Sequence, residues 1–213
     1  MVLLGPPGAG KGTQAEAFTA RQDVPHVSTG DILRDAVARR TEEGLKAQRL
    51  MEQGELVPDS LVASMVEARL RERDCDGGFV LDGFPRNVEQ AEMLESILGR
   101  TGRTLASVVA IEVPEEEVVV RLGGRRVCGS CGRNFHVRFQ PPRVEGRCDG
   151  CGGALVVRKD DTPDVIRERL AVYQRQTEPL LRLYGERSLL RRVSGAGNPE
   201  EVAERILRSV DMV

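Results

Sequence analysis

Short apolar runs alternate with longer segments of mixed polarity along this chain. The apolar runs occupy residues 2–4, 79–81, 108–113 and 189–193, with a weaker candidate at 26–28. Runs of this length without polar alternation predict strands that are buried on both faces of a sheet. Because helical patterns separate them, they predict a parallel sheet covered by helices, that is, an α/β fold.

The intervening segments carry the period of amphipathic helices. After Pro58, an apolar face is formed at 3–4-residue intervals by Leu61, Val62, Met65, Val66 and Leu70. Residues 162–184 predict a long helix with Val165, Ile166, Leu170 and Tyr173 on one face, and residues 199–210 predict a final helix. Another helix is expected to begin near Lys11, directly after a glycine-rich loop.

Residues 124–161 lack the helical period, and glycine, proline and paired cysteines dominate there. Cys128 and Cys131 form one Cys-x2-Cys pair, and Cys148 and Cys151 form a second pair sixteen residues later. This spacing predicts one four-thiolate zinc site, which is structural because four thiolates leave no open coordination position. Two disulfides, or unrelated thiols, are the alternative interpretation.

Composition narrows the functional classes. The chain has 213 residues, a net charge of −2 and 3% aromatic residues, so a general nucleic-acid binder is not expected and aliphatic side chains must fill the core. Neither a signal peptide nor a membrane span is visible, and five cysteines, four of them with a metal-site spacing, fit a reducing compartment. The expectation is a soluble, cytoplasmic protein.

The glycine-rich loop reads GPPGAGKGTQ from Gly5 to Gln14. Gly5, Gly10 and Lys11 match the phosphate-binding pattern Gly-x4-Gly-Lys-Ser/Thr, but the hydroxyl comes one position late, at Thr13. A glycine loop that opens a helix directs backbone N–H groups at phosphate, and the lysine reaches the outer phosphates. A strand–helix turn without any ligand is the alternative interpretation.

Four further motifs follow the loop in order: STGDILR at 28–34, LDGFPRNVEQ at 81–90, RLGGRR at 121–126 and RKDD at 158–161. Together with the loop they resemble the adenylate kinase family of nucleoside monophosphate kinases, in its bacterial form with a long lid. The resemblance covers nearly the whole chain. In that family glycine or serine commonly follows the lysine and threonine comes next, which explains the late hydroxyl.

The resemblance implies the fold and the reaction. The expected fold is a P-loop NTPase-type three-layer α/β structure with a five-stranded parallel sheet. Its core comprises residues 1–27, 58–123 and 162–213, with an AMP-binding insert at 28–57 and a zinc-ribbon-like lid at 124–161. The implied reaction is Mg·ATP + AMP ⇌ 2 ADP, in adenine nucleotide homeostasis. The implied partners are ATP, AMP and ADP, without nucleic acid or membrane, and the implied state is a monomer.

The same resemblance implies the site residues. ATP is expected to contact Gly8, Ala9, Gly10, Lys11, Gly12, Thr13, Arg121, Arg125, Asn134, Phe135 and Gly197. AMP is expected to contact Thr29, Arg34, Glu55, Leu56, Val57, Gly83, Phe84, Pro85, Arg86, Gln90, Arg158 and Arg169. The catalytic set is Lys11, Arg86, Arg121, Arg125, Arg158 and Arg169. Asp82 is expected to hold Mg²⁺ through water, and one structural Zn²⁺ is expected at Cys128, Cys131, Cys148 and Cys151.

Charge requirements support these assignments independently. Phosphoryl transfer needs positive charge around the moving group rather than a strong base, and the planar guanidinium binds phosphate oxygens in pairs. A single arginine among the many in this chain is usually a solvated surface residue, so only its place in a motif singles out Arg86 or Arg125. Asp82 could instead cap the turn that follows it.

The sequence departs from the family pattern at two places, and two rival functions stay open. Gly197 stands where many relatives carry a longer side chain beside the donor adenine, which leaves donor selectivity undecided, and the first strand is about two residues shorter than usual. His26 and His136 are interpreted as packing or surface residues. One rival function is a kinase for another monophosphate, or one that uses GTP as the phosphoryl donor. The other is a zinc-ribbon binding module, for which only Phe135 and Phe139 could stack on bases.

Overall fold

A computed structural model describes residues 1–210, so residues 211–213, assigned above to the core domain, lie outside the described part. The strands are β1 (Val2–Leu4), β2 (His26–Ser28), β3 (Val80–Asp82), β4 (Val108–Glu112), β5 (Arg125–Cys128), β6 (Asn134–His136), β7 (Leu155–Val156) and β8 (Leu190–Ser194). The helices are α1 (Lys11–Gln22), α2 (Thr29–Ala38), α3 (Glu42–Gln53), α4 (Asp59–Leu70), α5 (Val88–Arg100), α6 (Glu115–Gly123), α7 (Pro163–Val172), α8 (Pro179–Glu186) and α9 (Pro199–Val210).

Five parallel strands form the central sheet in the order β2-β3-β1-β4-β8. Alternate residues of β1 point to opposite faces: Val2 and Leu4 pack with α4, α5 and α8, whereas Leu3 packs with α1 and α9. Burial on both faces explains why the strands lack polar alternation. The predicted three-layer α/β fold with five parallel strands is confirmed.

Most predicted elements are confirmed to within one residue. Residues 79–81 and 189–193 are each shifted by one position in β3 and β8, a normal uncertainty for element ends. The weaker strand candidate at 26–28 is β2, and the final helix spans Pro199–Val210 as predicted. Within residues 1–210, no helix is long and apolar enough to cross a membrane.

The long helix predicted at 162–184 is wrong as one continuous α-helix. Its middle, Tyr173–Thr177, is π-helical, and a new helix begins at Pro179. The N–H of Glu178 bonds to the carbonyl of Tyr173, five residues back, at 2.9 Å. Proline lacks an N–H and cannot continue the α-helical pattern, so a widened turn precedes it.

Two segments are inserted between elements of the central three-layer structure. Helices α2 and α3 pack against each other between β2 and α4. Residues 124–161 form a three-stranded antiparallel sheet in the order β6-β5-β7, whose small core comprises Cys128, Phe135, Cys148 and Leu155. This part of the chain has too few buried apolar side chains to fold firmly on them alone.

Candidate active site

The phosphate-binding loop joins β1 to α1 at the carboxyl edge of the sheet. Gly8 has φ 82°, and a Cβ there would lie 2.9 Å from Leu122, so only glycine fits. Gly10 precedes α1 in a left-handed conformation, without a side-chain cap and without an acidic residue in the first turn. The first N–H groups of this helix are therefore available to an anion.

Lys11 lies over its own loop, where its Nζ donates to the carbonyls of Gly5 at 2.8 Å and Pro6 at 3.0 Å. The pKa of Lys11 is lowered to about 8, mainly by burial and also by the nearby guanidinium of Arg86, although Asp82 opposes the shift. The ammonium is thus poorly compensated within the protein, and the phosphates of a nucleotide would stabilise its charge.

Asp82 ends β3 beside this loop, and His26 on the neighbouring strand β2 contacts it. The Nε2 atom of His26 lies 3.7 Å from Oδ2 of Asp82, and both side chains are largely buried. Burial alone would raise the pKa of Asp82, but the contact with His26 and the charge of Lys11 outweigh it, so the pKa is lowered. Asp82 is therefore an ionised carboxylate beside the phosphate-binding loop.

His26 was missed as a site residue because nothing in the sequence relates it to Asp82. Only the parallel pairing of β2 with β3 brings the two side chains together. Burial lowers the pKa of His26, but Asp82, Asp31 and Glu16 together raise it above its ordinary value.

All six predicted catalytic side chains line a single cavity: Lys11, Arg86, Arg121, Arg125, Arg158 and Arg169. Burial lowers the pKa of Arg86 to about 10, and the nearby charge of Arg169 contributes. Burial and the charge of Arg125 lower the pKa of Arg158 to about 10 as well. The guanidinium groups remain charged at neutral pH while repelling each other, which favours a polyanionic ligand.

Asp161 holds part of this arginine ring, and its side chain is fully buried. Its carboxylate accepts from Nε and Nη2 of Arg125 at 2.7 and 2.5 Å, and from Nη1 of Arg169 at 3.0 Å. Asp160 adds an ion pair to Arg169 at 3.1 Å. Both aspartates belong to the RKDD motif, which was the signal available, but they were not predicted as site residues.

A smaller cavity adjoins the first. Most residues predicted for the AMP side line it: Thr29, Arg34, Glu55, Leu56, Val57, Gly83, Arg86, Gln90 and Arg169. Arg158 instead lines the larger cavity. Phe84 and Pro85 line neither, and the Phe84 side chain lies fully buried in the main core.

Contacts between distant loops border the part of the large cavity where ATP is predicted to bind. Arg121 donates to the carbonyls of Ala9 at 3.3 Å and Gly195 at 2.7 Å, and therefore links the phosphate loop to the loop that precedes α9. Asn134 accepts a 2.8 Å hydrogen bond from Arg158. Gly197 has φ 103°, and Gly12 and Thr13 also line this cavity.

The lid aromatics are placed differently from each other. Phe135 is 5% exposed and packs against Cys128 and Cys148, and it is also one of the residues that line the large cavity. Phe139 is exposed and stacks beside His136, whose Nδ1 accepts from two backbone N–H groups. With Phe135 buried, the lid offers little stacking surface for a nucleic acid.

The four paired cysteines converge at one end of the lid. Their Sγ atoms all lie within 4.8 Å of one another, with Cys128–Cys151 at 3.4 Å and Cys131–Cys148 at 3.6 Å. A tetrahedral zinc with Zn–S bonds of about 2.3 Å needs sulfurs about 3.8 Å apart, so the donor set fits zinc. The four are free thiols, so the disulfide interpretation receives no support.

The electrostatics of the cluster also favour a cation. Backbone N–H groups, first that of Cys131, lower the pKa of Cys128 to about 6. The backbone N–H of Gly153 acts in the same direction on Cys151, but hydrogen bonds with Cys128 and Cys131 outweigh it and raise the pKa of Cys151 to about 12. Four thiolates cannot share this space without a positive charge between them.

Fold and site together define a class of protein. A phosphate-binding loop, an ionised aspartate beside it and a ring of arginines around a cavity that adjoins a second one are the features of a P-loop nucleotide phosphotransferase. The model of the adenylate kinase family matches residues 3–189. The chain belongs to the adenylate kinase family.

Curated relatives agree over nearly the full length. The chain is 51% identical over 211 residues to an adenylate kinase of Geobacter sulfurreducens, covering 99% of this chain and 97% of the relative. It is 49% identical over 206 residues to an adenylate kinase of Syntrophobacter fumaroxidans, covering 97% of each chain. An adenylate kinase of Carboxydothermus hydrogenoformans is 50% identical over 202 residues, covering 95% of this chain and 94% of the relative.

Proposed function

We propose that this chain carries out the reaction of its family, reversible phosphoryl transfer from Mg·ATP to AMP, with the residues that line the two adjoining cavities. One observation is the main support for the roles assigned to these residues. Arg86 and Arg169 line both cavities, and therefore stand where a donor phosphate in one meets an acceptor phosphate in the other. An oxygen of the AMP phosphate attacks the terminal phosphorus of ATP, and the bond to the bridging oxygen breaks, which leaves two ADP.

The roles follow from charge and contact. The N–H groups of residues 8–13 and Lys11 bind the donor phosphates, while Arg86, Arg121, Arg125, Arg158 and Arg169 neutralise the transferred group. Asp160 and Asp161 hold Arg125 and Arg169 in position before substrates arrive. Mg²⁺ enters with ATP, and the ionised carboxylate of Asp82 is suited to hold it through water.

The three-part division supports a closing motion. We infer a core of residues 1–27, 58–123 and 162–213, an AMP-binding insert at 28–57 and a lid at 124–161. Arg125 and Arg158 belong to the lid, so lid closure would bring them onto the phosphates and exclude water. Zinc in the four-cysteine cluster would hold the lid rigid, and reduced thiols at that cluster fit the cytoplasm. The monomeric state stays a prediction.

A coupled assay tests the function directly. Purified protein should form ADP from ATP and AMP in the presence of Mg²⁺, at a rate that exceeds the rates with GMP, CMP or UMP as acceptor. Replacing ATP by GTP in the same assay measures donor selectivity, which Gly197 leaves open. Faster turnover with another monophosphate would favour the rival kinase, and no ADP formation at all would refute the proposal.

The lowered pKa of Lys11 predicts a particular pH dependence. In the free enzyme Lys11 loses its proton as the pH rises through about 8, so kcat/KM for ATP should fall above that pH. The phosphates raise this pKa in the ternary complex, so kcat should decline only at higher pH. Measurements of kcat and kcat/KM from pH 6 to pH 10 check both expectations. In Lys11→Arg, whose side chain stays charged over this range, kcat/KM should not fall above pH 8. If kcat/KM of that variant fell with the same midpoint pH as the wild type, the titrating group would not be Lys11.

A further inference from the structure

A polar network behind the smaller cavity holds Gln90, which is 1% exposed and lines that cavity. Its Oε1 accepts from the backbone N–H of Arg86 at 2.8 Å, and its Nε2 donates to Oδ1 of Asp59 at 2.7 Å. Asp59 is the first residue of α4 and does not itself line the cavity.

Asp59 is itself held in place. The Nδ2 of Asn87 donates to both carboxylate oxygens of Asp59, at 3.1 and 3.0 Å. The other side-chain atom of Asn87, its Oδ1, caps α5 by accepting from the N–H of Gln90 at 2.7 Å. Asn87 therefore fixes both the carboxylate and the start of the helix that carries Gln90.

The two partners of the Gln90 amide are of opposite kinds. A carboxylate accepts and a backbone N–H can only donate, so Asp59 requires the NH₂ group and Arg86 requires the oxygen. The amide orientation is thus determined by chemistry rather than by the similar shape of its two ends. Rotating the amide by half a turn would place its oxygen against the carboxylate of Asp59 and its NH₂ group against the N–H of Arg86.

We propose that Asp59 is a specificity-determining positioning residue, which locks the Gln90 amide in the orientation that accepts adenine and rejects a 6-oxo purine. The inference rests on the proposed role of Gln90 at the acceptor base. After its two internal bonds, Gln90 keeps one lone pair and one N–H. These match the amino group and the adjacent ring nitrogen of adenine.

Hypoxanthine is the informative comparison, because IMP has a carbonyl oxygen in place of the amino group of AMP and an N–H in place of the adjacent acceptor nitrogen. The locked Oε1 of Gln90 would face that oxygen, so two acceptors would oppose each other. Binding IMP well would require the amide to rotate, and the carboxylate of Asp59 would then repel the amide oxygen. Discrimination by buried hydrogen-bonding groups of this kind is large when the groups cannot adapt.

The test measures the ratio of kcat/KM for AMP to kcat/KM for IMP in Asp59→Ala, together with the Kd of each monophosphate by calorimetry. The ratio should fall about tenfold, the factor that corresponds to one lost discriminating contact. The kcat at saturating AMP should stay near wild type, because the phosphate-binding arginines are untouched. An unchanged ratio in folded protein would overturn the proposal.

Three further variants separate orientation from stability. Asp59→Asn keeps an acceptor oxygen that Asn87 can hold, so it should restore most of the ratio; a ratio as low as that of Asp59→Ala would contradict the lock. Asp164→Ala removes an exposed carboxylate from the first turn of α7 and should leave the ratio unchanged. Asn87→Ser keeps an N-cap hydroxyl but frees Asp59, and should lower the ratio even if Asp59→Ala does not fold.

Gln90→Ala distinguishes the role of Gln90 at the acceptor base from the role of Asp59 in orienting Gln90. If that variant keeps the wild-type ratio, the proposed role of Gln90 at the acceptor base is wrong. If Gln90→Ala lowers the ratio and Asp59→Ala does not, the role of Gln90 stands and the lock by Asp59 is wrong. In the double variant, the loss should not exceed that of Gln90→Ala alone, because Asp59 acts through Gln90.

Discussion

Replacing Arg86 with alanine is expected to lower kcat about 100- to 1,000-fold, the loss typical of removing one preorganised donor from a transition state. Arg86 lines both cavities, and its Nε is held by the carbonyl of Gly83 at 2.8 Å. Its own carbonyl accepts from Thr177 at 2.7 Å. The guanidinium is therefore fixed before the substrates bind, so its contribution needs no reorganisation during transfer.

The same substitution should leave the fold intact. Burial lowers the pKa of Arg86 to about 10, which means that folding places its charged form in an unfavourable environment at neutral pH. Removing the guanidinium also relieves its repulsion with Arg169. Steady-state kinetics with circular dichroism and thermal melting will check the pair of expectations.

Arg100→Ala is the matched control, because Arg100 lies on α5 and pairs with Glu67 away from both cavities. It should retain wild-type kcat. Near-normal turnover by a folded Arg86→Ala variant would refute the assignment of Arg86 to the transfer site.

The sequence predicted the features that depend on neighbouring residues. Apolar runs such as 108–113 identified buried strands, because a strand covered on both faces needs no polar residue. The phosphate-binding loop and the zinc site were also predicted from short motifs. The glycine spacing lets the backbone approach a phosphate, and the cysteine spacing allows tetrahedral binding of a metal ion. In each case the physical requirement acts within a short stretch of chain.

Features that depend on distant residues could not be read in this way. The contact of His26 with Asp82 requires that β2 pair with β3, and the bond from Gln90 to Asp59 requires that α4 lie beside α5. Asp161 is buried where Arg125 and Arg169, which are far apart in the sequence, both contact its carboxylate. The π-helical turn precedes Pro179, which is visible in the sequence. The apolar period continues past this proline, however, and therefore predicted one uninterrupted α-helix.

Replacing Cys128 and Cys148 with serine is expected to abolish zinc binding and to lower the melting temperature by roughly 5–10 °C, the shift that about 2–3 kcal/mol produces in a chain of this size. Both cysteines are buried beside Phe135, and Leu155 completes the only apolar cluster among the described residues of the lid. Because so little apolar surface is buried there, we expect metal binding to supply much of the folding energy of the lid.

Zinc should act on stability and not on the transfer itself. Four thiolates occupy every position of a tetrahedral ion, so neither water nor a phosphate can bind to it. At temperatures well below melting, the serine variant should therefore keep substantial activity through the phosphate loop and the arginines of the core. Amide exchange over residues 124–161 should accelerate in the variant while exchange in the central sheet stays slow, because the loss is local.

Cys75→Ala is the matched control for removing a cysteine. Cys75 is buried in the main core, outside the four-thiol cluster, so this variant should keep one zinc per chain even if it loses some stability. Metal analysis, calorimetry and kinetics on the same samples decide the case. A zinc-free serine variant with unchanged melting would contradict a structural metal. A fully folded, zinc-free variant without activity would show instead that the ion orients the lid arginines in the closed state, since the ion itself has no coordination position left for chemistry.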